Sequence, residues 1–464
     1  MNKKRFNAYT LVLVALVAIL VSVLGTTTIM SAFNTVQYDS MAKFEQALAL
    51  IRQNALAVPD QDKLIDGAIK GLTESLDDPH STYFTKSEAD EFRQSLSSSF
   101  DGIGVRLLIV AGEPVITEVF PGSPAETAGM KVNDVIVSVD GNKVSGDNSQ
   151  EVVDQLTGKK GTTVKVDVRR GDASETLSIT RDAITVEAAE TKVITSGDKK
   201  IGYIVLDSFT EDAGTQYLAA LESLQNEGVS GVIVDLRNNG GGYVSSVSTI
   251  LDKTVSDTKP YVQTVDKDGR TVTKFSSISE SPIKDVVVVV NENTASASEI
   301  MTAAYREIEG FKVVGTKTYG KGTAQNTFDL IDGSQLKLTI EKWLTPDGNW
   351  INEKGITPDV VQQATQPYLI PYISTDKVYQ LGDTGYPVSY MQHLLKFYGY
   401  QIGYDAQFDE ETEAGIKKFQ ADNGLEQTGK MDFDTVQTMN EKNRAYRENQ
   451  NNDTQLQKAI EQFN

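Results

Sequence analysis

Two side chains able to do covalent chemistry, Ser296 and Lys321, lie 25 residues apart, and Gln325 follows four residues after the lysine. The stretch around them, Val286 to Leu330, reads VVVVVNENTASASEIMTAAYREIEGFKVVGTKTYGKGTAQNTFDL. A serine hydroxyl becomes a nucleophile only beside a base. The chain has two histidines, His80 and His393, and no cysteine. Neither histidine is near Ser296 in sequence, which favours a Ser-Lys arrangement over Ser-His-Asp, although a distant histidine can fold back. A lysine with a pKa near 10.4 is only about 0.04% neutral at pH 7. To act as a base there its pKa must fall by roughly 3, about 4 kcal/mol, which burial can supply. On spacing alone a plainer reading stays open: Ser296 caps a helix and Lys321 is a surface lysine.

Several elements must position these groups. Val286 to Val290 is an apolar run suited to a strand buried on both faces. Asn291 to Thr294 reads as a turn, and helical spacing starts near Ser298, with Glu299 in the first turn and Ile300, Ala303 and Ala304 behind it. Ser296 therefore falls at a strand-to-helix turn, where backbone N–H groups are still unpaired. A second strand, Phe311 to Val314, leads to the glycine-flanked Lys321. Upstream, Ile201 to Leu206 and Val232 to Asp235 read as buried strands with a helix, Ala213 to Asn226, between them, an α/β alternation. DLRNNGGGYV, Asp235 to Val244, follows a strand and precedes a helix, and its glycines let backbone N–H groups approach a ligand closely. No GK[ST] or GxGxxG accompanies it, so a phosphate loop is disfavoured. Arg237 reads as holding this loop. Ser196-Gly197-Asp198-Lys199 fits a Ser-x-x-Lys pattern, but it reads as a hairpin turn and no Lys-Thr-Gly follows.

TASASEI followed by TYGKGTAQ resembles the core of the carboxyl-terminal processing (tail-specific) serine proteases. The resemblance implies Ser296 as nucleophile, Lys321 as general base and Gln325 as the residue that orients the lysine. Ser298 is then the helix-start serine. It further implies an oxyanion hole formed by the Ala297 N–H and a glycine of the Asp235–Val244 loop, Gly241 first and Gly242 the alternative. WLTPDGNWINEKGITPDV, Trp343 to Val360, is similar to the family's closing strands. The rival reading is a catalytically silent scaffold that tethers a partner, and the complete Ser296, Lys321, Gln325 set argues against it.

The rest of the chain divides by composition and pattern into a multidomain α+β protein. Residues 1–34 place Lys3, Lys4 and Arg5 before an apolar run, Ala8 to Met30, of about 22 residues, enough to span a bilayer. The basic cluster holds the N-terminus in the cytoplasm and sends the body outward. A cleaved signal peptide is the alternative, but no clear Ala-x-Ala site is present. The expected location is therefore membrane-anchored by one N-terminal helix, with the bulk extracytoplasmic. Residues 35–98 read as helices and resemble the segment before the PDZ domain in the family, with His80 as a turn residue. In relatives such helices can pair subunits, so a homodimer is implied. Residues 99–184 resemble a PDZ domain, of β-sandwich type. The loop Gly102, Ile103 and Gly104, with Val105 opening the following strand, would take a substrate's C-terminal carboxylate by strand addition. Val152, Val153 and Leu156 would line that groove. Residues 185–365 form the α/β protease core and 366–377 a linker. Residues 378–440 resemble a small three-helix peptidoglycan-binding module, which implies peptidoglycan as a partner. Residues 441–464 read as a frayed helix or polar tail.

The bulk numbers bound the alternatives. A net charge of −20 disfavours nucleic acid. The absence of cysteine removes thiol catalysis, thiolate metal sites and disulfides. No EF-hand spacing is present, and neither a metal nor a cofactor is expected. The expected partners are proteins or peptides with exposed C-termini.

Overall fold

The computed structural model describes residues 41–57, 60–146, 149–403 and 405–463. The apolar segment read as an anchor lies outside them, and among the described residues no helix is long and apolar enough to cross a membrane. Two compact units divide the chain after Asp77. The first holds a helix over 41–54 and another, Gln61–Glu74, as helical spacing predicts.

The second unit is built on a six-stranded sheet. Its order is Ala189–Ser196, Lys199–Leu206, Gly231–Asp235, Val286–Val290, Lys312–Gly315 and Val360–Val361. The first two strands form an antiparallel hairpin and the rest are parallel. Ser196 and Lys199 face each other across that hairpin, so the Ser-x-x-Lys match is a turn. Parallel strands need cover on both faces. On one face it comes from the helices Ala213–Asn226, Val244–Thr254 and Ala297–Glu309. The valine run divides with the period of a strand. Val286, Val288 and Val290 join Ile204 and Leu206 in the core beneath these helices, whereas Val287 and Val289 join Ile201, Tyr203 and Ile233 on the other face.

The chain's own C-terminus covers that other face, which corrects the reading of 441–464 as a polar tail. The helix Phe433–Glu448 runs through residue 441, and Thr454–Ile460 lays Leu456, Ala459 and Ile460 against the sheet. Those three residues recur at helical spacing, and the surrounding Asn and Gln obscured the pattern. The reading of 366–377 as a linker is corrected too. Ile370 and Ile373 are buried in the core of the C-terminal module.

A second sheet joins the strands Thr82–Phe84, Gln335–Leu344, Val262–Asp266 and Thr271–Lys274, and its strand Thr323–Asp329, paired to Gln335–Leu344, starts just after Lys321 and carries Gln325. The domain at 99–184 has a six-stranded sheet whose edge strand is Val105–Val110, and Ser99–Gly102 pairs with Asp182–Thr185 at its boundary. The C-terminal module is built on the helices Tyr386–Phe397, Glu410–Asp422 and Phe433–Glu448. Val110, Val115 and Val135 of the 99–184 domain belong to the module's apolar cluster. Backbone bonds from Gly112 N–H to Thr375 O and from Thr375 N–H to Ile109 O tie the two together.

Candidate active site

Ser296 stands between the strand Val286–Val290 and the helix Ala297–Glu309, with φ 58° and ψ −117°. Few non-glycine residues adopt a positive φ, and those that do are held there by their surroundings. Here the restraint is Glu299, one helical turn on. Its buried carboxylate Oε2 accepts from the Ser296 N–H at 2.9 Å and from the Lys321 N–H at 2.8 Å. One oxygen thus joins the two residues that sequence spacing singled out. The other oxygen accepts from Thr318 Oγ1 at 2.6 Å and from the Gly320 N–H at 2.7 Å. Burial pushes the Glu299 pKa up, and these four donors oppose that. The Ser-x-x-Glu spacing of a capping box was legible in the sequence. The bridge to Lys321 was not.

Lys321 lies in a loop pinned by both tryptophans of the chain. Trp343 Nε1 donates to Lys321 O and Trp350 Nε1 to Gly322 O, each at 2.8 Å. Burial, and after it the charge of Lys337, holds the Lys321 pKa below the usual lysine value; Asp78 and Glu299 oppose the fall. The environment therefore moves Lys321 toward the neutral form that a base requires.

Gln325 sits beside a bulge, and its Nε2 donates to Thr323 Oγ1 at 3.0 Å and Thr339 Oγ1 at 3.1 Å. Among the described residues no hydrogen bond joins it to the Lys321 ammonium. The turn 78–81 is tied to the neighbouring strand, at the residue paired with Gln325: the Thr339 N–H donates to Ser81 Oγ at 3.0 Å, and Ser81 Oγ to Asp78 Oδ2 at 2.6 Å. His80 is a turn residue as expected, but its turn lies against the site. Burial, then the Lys321 charge, lowers its imidazole pKa. Its distance in sequence concealed this proximity.

The glycine-rich loop closes the other side. Gly241 has φ +102°, and a Cβ placed on it would lie 2.8 Å from Ser296 Cβ and 3.0 Å from Ala297 N. Only a glycine permits that approach. No hydrogen bond engages the Ala297 N–H among the described residues, whereas the Gly241 N–H donates to Asn239 Oδ1 at 2.9 Å. Asn239, which the sequence pattern did not single out, fastens the loop to the turn that carries Ser296. Its carbonyl accepts from the Ala295 N–H at 3.0 Å and from Ser298 Oγ at 2.9 Å, and its Nδ2 donates to Leu206 O at 2.6 Å. Ser298 is thus a structural serine.

In the domain at 99–184, a groove of about 440 Å³ runs beside the edge strand, lined by Ile103, Gly104, Val105, Val153 and Leu156 among others. Two expected contacts lie elsewhere. Gly102 pairs with Asp182 in the boundary strands, and Val152 is turned into the domain core, because its neighbour Val153 occupies the groove side of the helix.

Residues 200–362 match peptidase family S41, residues 102–180 a PDZ domain, residues 384–439 a putative peptidoglycan binding domain, and residues 24–88 the N-terminal domain of the activating protease CtpB. The carboxy-terminal processing protease CtpA of Bacillus subtilis (strain 168) is 37% identical over 464 residues, 99% of this chain and 98% of that one. CtpB of the same strain is 35% identical over 437 residues, covering 92% and 90%. A probable CtpA-like serine protease of Staphylococcus haemolyticus (strain JCSC1435) is 36% identical over 400 residues, covering 86% and 80%.

Proposed function

The chain belongs to the carboxy-terminal processing serine proteases of peptidase family S41, and from that premise we propose that it cleaves peptide bonds with Ser296 as nucleophile and neutral Lys321 as general base. Ser296 Oγ attacks the scissile carbonyl and passes its proton to Lys321 Nζ. The Ala297 N–H receives the oxyanion, joined by the Gly241 N–H once that group leaves Asn239. Collapse of the tetrahedral intermediate breaks the C–N bond, and the departing amine takes the proton from Lys321. Water then gives a proton to Lys321 as its oxygen attacks the acyl carbon, and collapse breaks the ester C–O bond, with Lys321 returning that proton to Ser296 Oγ. Gln325 holds the strand behind the lysine. The observation that carries this reading is the single Glu299 oxygen that bonds both the Ser296 and the Lys321 N–H.

The groove beside Val105–Val110 supports capture of a substrate's C-terminal segment by strand addition. The Lys3-Lys4-Arg5 cluster ahead of the apolar run supports an uncleaved anchor with the body outside the cytoplasm. The test of the chemistry is cleavage of an unfolded protein by residues 35–464, beside Ser296→Ala and Lys321→Met. Loss of cleavage in both, with circular dichroism unchanged, is expected. Activity surviving in Lys321→Met would move the base to another group, His80 first.

A further inference from the structure

A buried ion cluster joins the glycine-rich loop to the end of the chain. Arg237 lies four residues before Gly241. Its Nε donates to Asp235 Oδ1 at 2.9 Å and Oδ2 at 3.0 Å, and its Nη2 to Asp235 Oδ2 at 2.5 Å. On its other edge Nη1 and Nη2 donate to Asp453 Oδ1 and Oδ2, each at 2.8 Å. Gln455 Oε1 accepts a further bond from Nη1 at 3.3 Å, and the Tyr203 hydroxyl donates to Asp235 Oδ2 at 2.6 Å. Asp235 is 4% exposed and Asp453 5%. Lys192, whose ammonium lies 4.7 Å from the centre of the Tyr203 ring, is within electrostatic reach of both carboxylates. Within the buried part of the cluster, one guanidinium is shared by two carboxylates.

The second carboxylate comes from far along the chain. The backbone leaves the core sheet after Val361 and returns at Asp453, so the C-terminal module is inserted within the core. Asp453 caps the returning helix, accepting from the Leu456 N–H at 3.0 Å. Gln455 Nε2 donates to Gln362 O at 2.9 Å, and Thr454 Oγ1 to Gln363 O at 2.7 Å, which fixes that helix beside the last core strand. An arginine fork gripped along two edges by carboxylates loses its rotational freedom. From Arg237 the constraint passes directly into the loop. The Arg237 N–H donates to Asp235 Oδ1 at 3.0 Å, the Asn238 N–H to Asn291 Oδ1 at 2.9 Å, and the next residue is Asn239, which holds Gly241.

We infer that Asp453 is a positioning residue for peptide cleavage: by fixing Arg237 it sets the path of the backbone from Asn238 to Gly241 against Ser296. This rests on the assignment of that loop to the oxyanion site. Removing one carboxylate leaves part of a desolvated guanidinium unpaired and frees the loop to shift. Misplaced oxyanion donors lower kcat and leave ground-state binding largely intact.

The test uses the full-length chain and cleavage of an unfolded reporter protein, well below every variant's unfolding midpoint. Asp453→Asn is compared with Leu456→Ala, which loosens the same helix without touching Arg237. The expected result for Asp453→Asn is a loss of about tenfold or more in kcat with KM within about twofold. Leu456→Ala should keep wild-type kcat despite an equal or larger fall in Tm, and Asp453→Glu should recover part of the lost kcat. Wild-type kcat in Asp453→Asn, or kcat losses that follow Tm alike in both variants, would overturn the inference. If Asp453→Asn does not fold, Asp453→Glu set against Leu456→Ala decides on the same criterion. Gly241→Ala, measured in parallel, separates the two assignments. Wild-type kcat there means the loop is not the oxyanion site, whereas a crippled Gly241→Ala beside a normal Asp453→Asn refutes the positioning role alone.

Discussion

A charge on Lys321 costs the folded protein stability. Burial and Lys337 hold its pKa below the usual value, so the folded protein binds fewer protons there than the unfolded chain. The sign follows from linkage: the penalty is full below the folded pKa and fades as pH rises toward the unfolded one. Lys321→Met should therefore unfold at a higher temperature than wild type at neutral pH while losing cleavage, and scanning calorimetry checks it. A lower Tm in the variant would mean that the ammonium is paired, not merely buried. The same depression places the ascending limb of the pH–kcat/KM profile below the ordinary lysine range. Lys337→Met removes a like charge and should move that limb upward, which a pH series on both proteins would read directly.

Two elements, the Ser296 turn and the Lys321 loop, meet on one carboxylate. Glu299→Gln keeps the shape but replaces one acceptor oxygen with a donor that faces N–H or O–H groups already pointing inward. Stranding buried donors costs about 1–3 kcal/mol each. A fall in stability of roughly 3 kcal/mol is expected in chemical denaturation, together with loss of cleavage. Gly241→Ala strains the third element. The new methyl would sit 2.8 Å from Ser296 Cβ on a backbone at φ +102°. Its kcat should fall about 10²-fold or more, as for a lost oxyanion donor. Unchanged kcat would place the oxyanion elsewhere.

Across the whole molecule, the C-terminal module is a structural part of the second unit. It shares an apolar cluster with the PDZ domain through Val110, Val115 and Val135, and the chain beyond it returns to cover the core sheet. Deleting residues 378–440 should uncover those valines. At about 1.5 kcal/mol or more for each buried side chain, the remaining protein should lose on the order of 5 kcal/mol, seen as a lowered unfolding midpoint. An unchanged midpoint would mean that the module is held independently of the PDZ domain.

Local chemistry was legible in the residues themselves. The valine run, the strand-to-helix turn at Ser296, the helix Ala213–Asn226 and the glycine-flanked lysine each follow from short-range pattern, because a strand's period, a helix's period and a glycine's freedom are properties of neighbouring residues. The helix Thr454–Ile460 carries a signal of the same kind, Leu456, Ala459 and Ile460 at helical spacing, but the amides around it masked that signal and the segment read as a polar tail. Tertiary structure alone decided what meets across the fold. Glu299 reaches Lys321, the turn at His80 meets Thr339, Ser298 gives its hydroxyl proton to the Asn239 carbonyl, and Asp453 clamps Arg237. A buried polar group must find a partner, but the choice of partner depends on which distant segments packing has brought within hydrogen-bond range.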